Sequence, residues 1–299
     1  MKTQDLLAGQ FEGYRGHLTA VAYRMLGSLT EADDVIQEAW LRLAGADSGA
    51  IENLGGWLTT TVSRICLDQL RGRAIRGEDP LDTQLPDPVV RRDDPADPEH
   101  QAVLADSVGL ALLVVLDSLN PAERVAFVLH DMFAVPFDQV AEVIGKTPTA
   151  TRMLTSRARR RVQAHQPSPV PDRPRQRRAV DAFLTAARTG DFDALLALLD
   201  PDVVLHGDSG SGLLLLRGAP AVAGRLAVFQ RFATTSRSHP VLVNGLAGLL
   251  NTVDGAPISV IGFTVADDRI TAIELLSDPA RIARLQLPPV SAGPSVLSE

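Results

Sequence analysis

The sequence predicts a multidomain chain: two all-helical blocks followed by an α+β domain. Three observations carry that prediction. Apolar residues recur at helical spacing through residues 1–77 and 100–165. Runs with β character gather only after Asp200, downstream of two further helical stretches in the block 175–287. Two proline-dense segments, 78–99 and 166–174, separate the blocks and read as linkers, and the tail 288–299 reads as disordered.

In the first block, Thr30-Glu-Ala-Asp33 reads as a capping box opening a helix to Leu43. Val35, Ile36, Ala39, Trp40 and Leu43 recur along it, leaving Asp34, Gln37, Glu38 and Arg42 on the other face. A second helix starts at Gly56 and ends in the basic run Arg71-Gly-Arg-Ala-Ile-Arg76. In the second block Asn120 is the expected N-cap and Pro121 the first helical residue. A short amphipathic helix from Phe137 to Ile144 closes at Gly145, and Thr147 caps an arginine-rich helix from Pro148. Together they form a helix-turn-helix pattern. Gly145-Lys146-Thr147 resembles the end of a phosphate-binding loop, but Val140 stands where that loop needs its upstream glycine. The third block opens with helices over 178–189 and 192–199. Expected strands follow at 203–206, 241–243, 258–265 and 270–276, with turns at Asp254-Gly255 and Asp267-Asp268.

Charge is patterned by segment. The net charge is −7, yet residues 78–99 alone hold eight acids against two arginines, so the remainder is nearly neutral. From Arg152 to Arg178 nine arginines face a single acid, a basic footprint that suits nucleic acid. One cysteine excludes a disulfide framework, and the six histidines show no metal-ligand spacing. No metal or cofactor is expected. No stretch nears the roughly 18 apolar residues of a membrane span, so the expectation is a soluble, cytoplasmic protein, monomeric when free.

Residues 31–43, Glu-Ala-Asp-Asp-Val-Ile-Gln-Glu-Ala-Trp-Leu-Arg-Leu, resemble the core-polymerase-binding helix of extracytoplasmic-function (ECF) sigma factors. Residues 56–76 resemble their promoter-melting and minus-ten segment, and residues 119–162 their region 4. The third block is similar to the SnoaL-like, NTF2-fold cone carried by the subgroup that includes J-type sigma factors. The implied function is promoter-specific initiation by core RNA polymerase, the chain itself being no enzyme. Implied partners are the polymerase β′ clamp and β subunit, and duplex and melted promoter DNA. The polymerase face would comprise Asp34, Gln37, Glu38, Trp40, Leu41 and Arg42. DNA would meet Arg64, Arg71, Arg73 and Arg76, then Thr149, Ala150, Thr151, Arg152 and Met153 at base edges, with Arg157, Arg159 and Arg160 on phosphates. The loop Asp47 to Leu54 is where the family captures a flipped base.

His206, Asp208 and Ser209 follow an expected strand and could line a pocket or an interdomain contact, with Asp278 and Arg281. A plain turn is the alternative, since Asp, Ser and Gly all favour one; a ligand of this domain is left open. The subgroup's Trp-Leu-Pro-Glu-Pro motif is present as Gln84-Leu-Pro-Asp-Pro88. Its Asp-Gly-Gly-Gly motif is Asp208-Ser-Gly-Ser211 here, and its Asn-Pro-Asp-Lys motif is Asp278-Pro-Ala-Arg281. In the subgroup these segments join the extension to the sigma regions and control activity in cis. A one-component regulator with a ligand-sensing domain is the competing reading; it needs no equivalent of residues 31–76.

Overall fold

A computed structural model of the chain describes residues 2–47, 51–76, 85–93, 109–165, 173–225 and 236–289. Most of the tail, the break at 166–172 and the flanks of the acidic segment therefore lie outside the described residues. The chain forms two compact units, one of residues 1–80 with 113–165 and one of residues 81–112 with 166–299.

The first unit begins with three packed helices, α1 (Lys2–Leu26), α2 (Leu29–Gly45) and α3 (Leu54–Arg76). Phe11, Leu18 and Met25 of α1 meet Val35, Ile36 and Leu43 of α2, and Leu58, Val62 and Cys66 of α3; all are buried. Burial pushes the Cys66 thiol up to about 12, so it stays an inert thiol. The cap of α2 differs from expectation. Ser28 is the N-cap and its hydroxyl accepts from the Glu31 N–H, so the capping pair is Ser28 and Glu31 and Thr30 lies inside the helix.

The same unit continues with α4 (Leu110–Asp117), of which residues from Leu113 belong here, and α5 (Pro121–Phe127). Asn120 caps α5 through the Glu123 N–H at 2.9 Å, as expected. The chain then widens into a π turn, Val128–Met132, before α6 (Phe137–Ile144) and α7 (Pro148–His165). Gly145 at φ 69° ends α6 in the left-handed conformation that favours glycine. Thr147 Oγ1 accepts from the Ala150 N–H at 3.2 Å, starting α7. The helix-turn-helix is thus placed by two local signals, each legible in the residues.

The second unit is a seven-stranded sheet in the order β1-β4-β5-β6-β7-β2-β3. Its strands are β1 (Val90–Arg92), β2 (Leu199–Asp208), β3 (Leu213–Arg217), β4 (Arg237–Val243), β5 (Leu246–Val253), β6 (Ala256–Ala266) and β7 (Arg269–Leu276). Only β2 and β7 pair in parallel. Asn244-Gly245, Asp254-Gly255 and Asp267-Asp268 all have positive φ, the twist-matching geometry of two-residue hairpins. Helices α8 (Arg173–Thr189) and α9 (Phe192–Leu198) cover one face, where Phe183 meets Phe263 edge-on at 5.2 Å. Leu195, Leu205, Leu249 and Ile273 complete that core. This is the helix-backed α+β domain expected, with three more strands than were expected. The leucine-rich sequences of β3 and β5 suit helix as well as strand, and β1 lies among the prolines and charges of the acidic segment.

Arg124 is the largest fully buried side chain and carries a charge. It ion-pairs with Asp117, itself buried, and Nη2 donates to the Arg24 carbonyl at the end of α1 at 3.3 Å. A helix end leaves such carbonyls unpaired, and a cation suits them. Arg124→Ala strands the Asp117 carboxylate in the interior. The expected loss is about 3–5 kcal/mol in the first unit, measured as a shift in the urea transition followed by helical circular dichroism.

Candidate partner and nucleic-acid interface

Helix α2 presents Asp34, Gln37 and Leu41 to solvent one turn apart, with Leu41 69% exposed. Glu38 and Arg42 pair along the helix at 2.5 Å. Trp40 is half-buried, its ring 5.2 Å from Phe11; it anchors the helix to α1. The other predicted members of this face lie together as expected from their spacing.

The basic residues of α3 divide. Arg73 turns inward, ion-pairs with Glu31 and donates to the Leu26 carbonyl. It ties α3 to α2, which does not fit its expected place on DNA. Arg64 and Arg71 are exposed along their length but donate at 3.4 Å to the carbonyls of Glu142 and Ile144, the C-terminal end of α6. Arg76 is exposed and lies back over Gly72.

On α7 the helical phase decides. Thr151 is fully buried, with Thr155, Ala158 and Val162 in the same stripe, and its hydroxyl donates to the Thr147 carbonyl. It cannot reach a base edge, contrary to expectation. Thr149, Arg152 and Met153 are exposed and Ala150 half so, which leaves the start of the helix a usable reading face. Arg157 and Arg160 are exposed farther along. Arg159 is ion-paired with Asp131, so its charge is already shared.

Between α2 and α3 lies a hollow of about 530 Å³ lined by Ala46, Asp47, Ile51, Glu52, Asn53 and Trp57. Asn53 caps α3, accepting from the Gly56 N–H at 3.0 Å, and so fixes one wall. The family resemblance marks the loop 47–54, but no residue in it is singled out by the sequence, because its two acids, Asp47 and Glu52, form no motif, and Trp57 of the lining belongs to α3.

In the second unit the residues expected at a pocket make a different structure. Alternation along the strands puts Leu205, Phe263 and Ile273 in the core, hence His206, Asp208, Gly262 and Glu274 on the opposite face. Arg281, in α10 (Pro279–Ile282), is buried there. Its Nη1 donates to Asp208 Oδ2 at 2.5 Å, and its Nη2 to the Leu85 carbonyl at 2.7 Å and Asp87 Oδ1 at 2.5 Å. The Leu85 N–H also reaches Asp208 Oδ2 at 3.4 Å. Asp278 caps α10 through the Ala280 N–H, and Gly210, at φ 80°, packs so close to Asp278 that a Cβ would sit 2.9 Å from its carboxyl carbon. Ser209 stays on the exposed turn, bonded to Ser211.

Of the acidic segment, residues 85–93 are described, and Val90–Arg92 form part of the sheet. Leu85 and Val90 are buried, β1 pairs with β4, and Val89 and Asn244 exchange two hydrogen bonds. Arg177 of α8 pairs with Asp93 and donates to the Val241 carbonyl at 2.8 Å. Arg175 pairs with Asp268. Two of the nine arginines in the arginine-rich stretch, Arg175 and Arg177, are thus paired inside this unit, and local charge density alone could not show that.

Glu274 lies beside His206 in the parallel register and opposite Gly262. It is almost completely buried and its Oε1 has no hydrogen-bond partner. Burial pushes its carboxyl up to about 8, with its own backbone N–H opposing, so it is a neutral acid at pH 7. Burial, then the nearby Arg217, lowers His206. Among the described residues no three His, Cys, Asp or Glu side chains come together as metal ligands, and no helix is long and apolar enough to cross a membrane.

Comparison with known proteins adds the following. Residues 10–75 match Sigma-70 region 2, and residues 109–162 match Sigma-70, region 4. The chain is 40% identical to the ECF RNA polymerase sigma factor SigJ of Mycobacterium tuberculosis, over 96% of each chain. It is 34% identical to a probable ECF RNA polymerase sigma factor, SigI, of the same species, over 96% of this chain and 98% of that one. The crystal structure of M. tuberculosis SigJ superposes with a TM-score of 0.74 at 37% identity, covering 94% of this chain and all of that one.

Glu274 generates a pH prediction. Its folded-state pKa is about 8, against 4.5 for an ordinary glutamate, so the folded state holds its proton while the unfolded chain ionises between those values. Stability of the second unit then falls as pH rises from 4.5 to 8, with a cost of roughly 3 kcal/mol by pH 7. Glu274→Gln should raise amide hydrogen-exchange protection of β6 and β7 at pH 7.5 and change it little at pH 5. Equal protection changes at both pH values would contradict this.

Proposed function

Since the chain belongs to the ECF RNA polymerase sigma factors, we propose how its surfaces share the work of binding core polymerase and directing it to promoters. The α2 face of Asp34, Gln37, Glu38, Leu41 and Arg42 docks on the polymerase β′ clamp, with the β subunit engaged by the same two sigma regions, in the cytoplasm. The observation that carries this assignment is an exposed leucine on a helix face whose other members are charged or polar. Such a surface suits a helical partner with complementary charge. The chain contributes no chemistry of its own; the polymerase does.

Arg64, Arg71 and Arg76 supply phosphate contacts to promoter DNA, and Thr149, Arg152 and Met153 supply the base-edge reading of region 4. The hollow at Trp57 takes the flipped base, which stacks on the indole while Asp47 and Glu52 accept from its amino group. The carbonyl bonds of Arg64 and Arg71 to α6 have to open before those arginines meet DNA. Their length supports that, since such bonds are near the limit of the interaction.

The second unit acts in cis by holding the connector between the two sigma regions. A free connector could extend roughly 100 Å, whereas residues 85–93 are pinned to the sheet by Arg281, Asp208 and β1 pairing. The separation open to regions 2 and 4 is then set by the domain. His206 and Asp208 face away from its apolar interior, which supports a regulatory and non-catalytic role.

Two outcomes are expected. Charge reversal of Asp34 and Glu38 to lysine abolishes co-purification with core polymerase while leaving the thermal midpoint within a few degrees; retained co-purification would reject the docking face. Arg281→Ala frees the connector, so run-off transcription on a genomic promoter library changes at least severalfold against wild type. Unchanged transcription, with protease cleavage newly detected near residue 87, would remove the cis-control reading.

A further inference from the structure

The π turn Val128–Met132 hands two side chains to the helix-turn-helix that follows. His130 stacks on Phe137, ring centroids 3.6 Å apart and planes at 27°, with its Nδ1 3.0 Å from the Val135 carbonyl. Asp131 ion-pairs with Arg159 of α7. Phe137 is the first residue of α6 and half-buried, and the guanidinium carbon of Arg152 lies 5.2 Å from its ring centroid. A π turn adds a residue to the helical repeat and often marks a functional position. Two residues past its end lies Ala134, a non-glycine residue at φ 54°, in the sparsely occupied left-handed region.

A guanidinium lying on an aromatic face keeps its N–H donors in the plane, free for a base edge. It also gives up beforehand part of the rotamer freedom that an exposed arginine loses on binding. Ordinary solvation of Arg152 would need no aromatic at residue 137, and a Phe137 that only filled core would need no arginine over it. We propose that Phe137, braced by His130, is a positioning residue for promoter recognition, presenting Arg152 to the paired acceptors of a guanine in the major groove. This rests on reading Arg152 as a base contact.

The test uses the full chain and duplexes selected by it from a randomised pool, with random duplex as control, each titrated at several salt concentrations. Phe137→Leu should weaken binding to selected duplex about fivefold, with random-duplex affinity and the salt slope unchanged. Phe137→Tyr, which keeps the π face, should bind as wild type. Combined with Arg152→Ala, Phe137→Leu should cost nothing beyond Arg152→Ala alone. Should leucine lower the thermal midpoint, Phe137→Met repeats the measurement with a side chain of similar bulk. Additive losses in the double variant, or equal loss on both duplexes from Phe137→Leu, overturn the positioning role and leave Arg152 as reader. An Arg152→Ala that loses equally on both duplexes overturns the base contact and the positioning role with it.

Discussion

The arrangement of the second unit depends on the guanidinium of Arg281. It takes two carboxylates and a carbonyl out of water at once, and each costs several kcal/mol to desolvate alone. The cluster holds because the fork of one arginine reaches all three acceptors, while the Leu85 N–H shares the carboxylate of Asp208. A lysine, the residue of the subgroup motif at this position, is a point charge on a flexible stem and matches that planar set less well. Asp278 supplies the helix cap that places Arg281.

The same desolvation logic sorts the arginines of the whole chain. Those facing an acid or a helix end inside their own unit, namely Arg73, Arg124, Arg175, Arg177 and Arg281, serve the fold. Those on an exposed face beside an aromatic or near the recognition helix, Arg152, Arg157 and Arg160, are left for a partner. Arg64 and Arg71 stand between the two groups. They are exposed, but they lean on the carbonyl end of α6, where the helix dipole is negative.

Glu274 is a buried carboxyl of the sheet whose burial is not offset. Its neighbours in the row are a glycine and an imidazole, and its Oε1 has no partner. A carboxyl in that setting is retained as a neutral acid, and the sheet gives up some stability at neutral pH by holding it.

By itself the sequence determined the helical character of the first two blocks, the helix-turn-helix with its caps at Asn120, Thr147 and Gly145, and the α+β character of the last block. These depend on local spacing and on residues that satisfy helix ends, both of which are written within one or two turns. The exposed face of α2 was legible for the same reason, whereas the loop 47–54 was marked only by the family resemblance. Three things were decided only by the tertiary structure. Arg73 and Thr151 turned inward because helical phase against a neighbouring helix, not composition, sets the buried stripe. The acidic segment became β1, since strand pairing and Arg281 supply from 150 to 200 residues away the partners that its own prolines and charges lack. And Glu274 acquired its raised pKa from burial, a property of the assembled sheet that no neighbouring residue in the chain encodes.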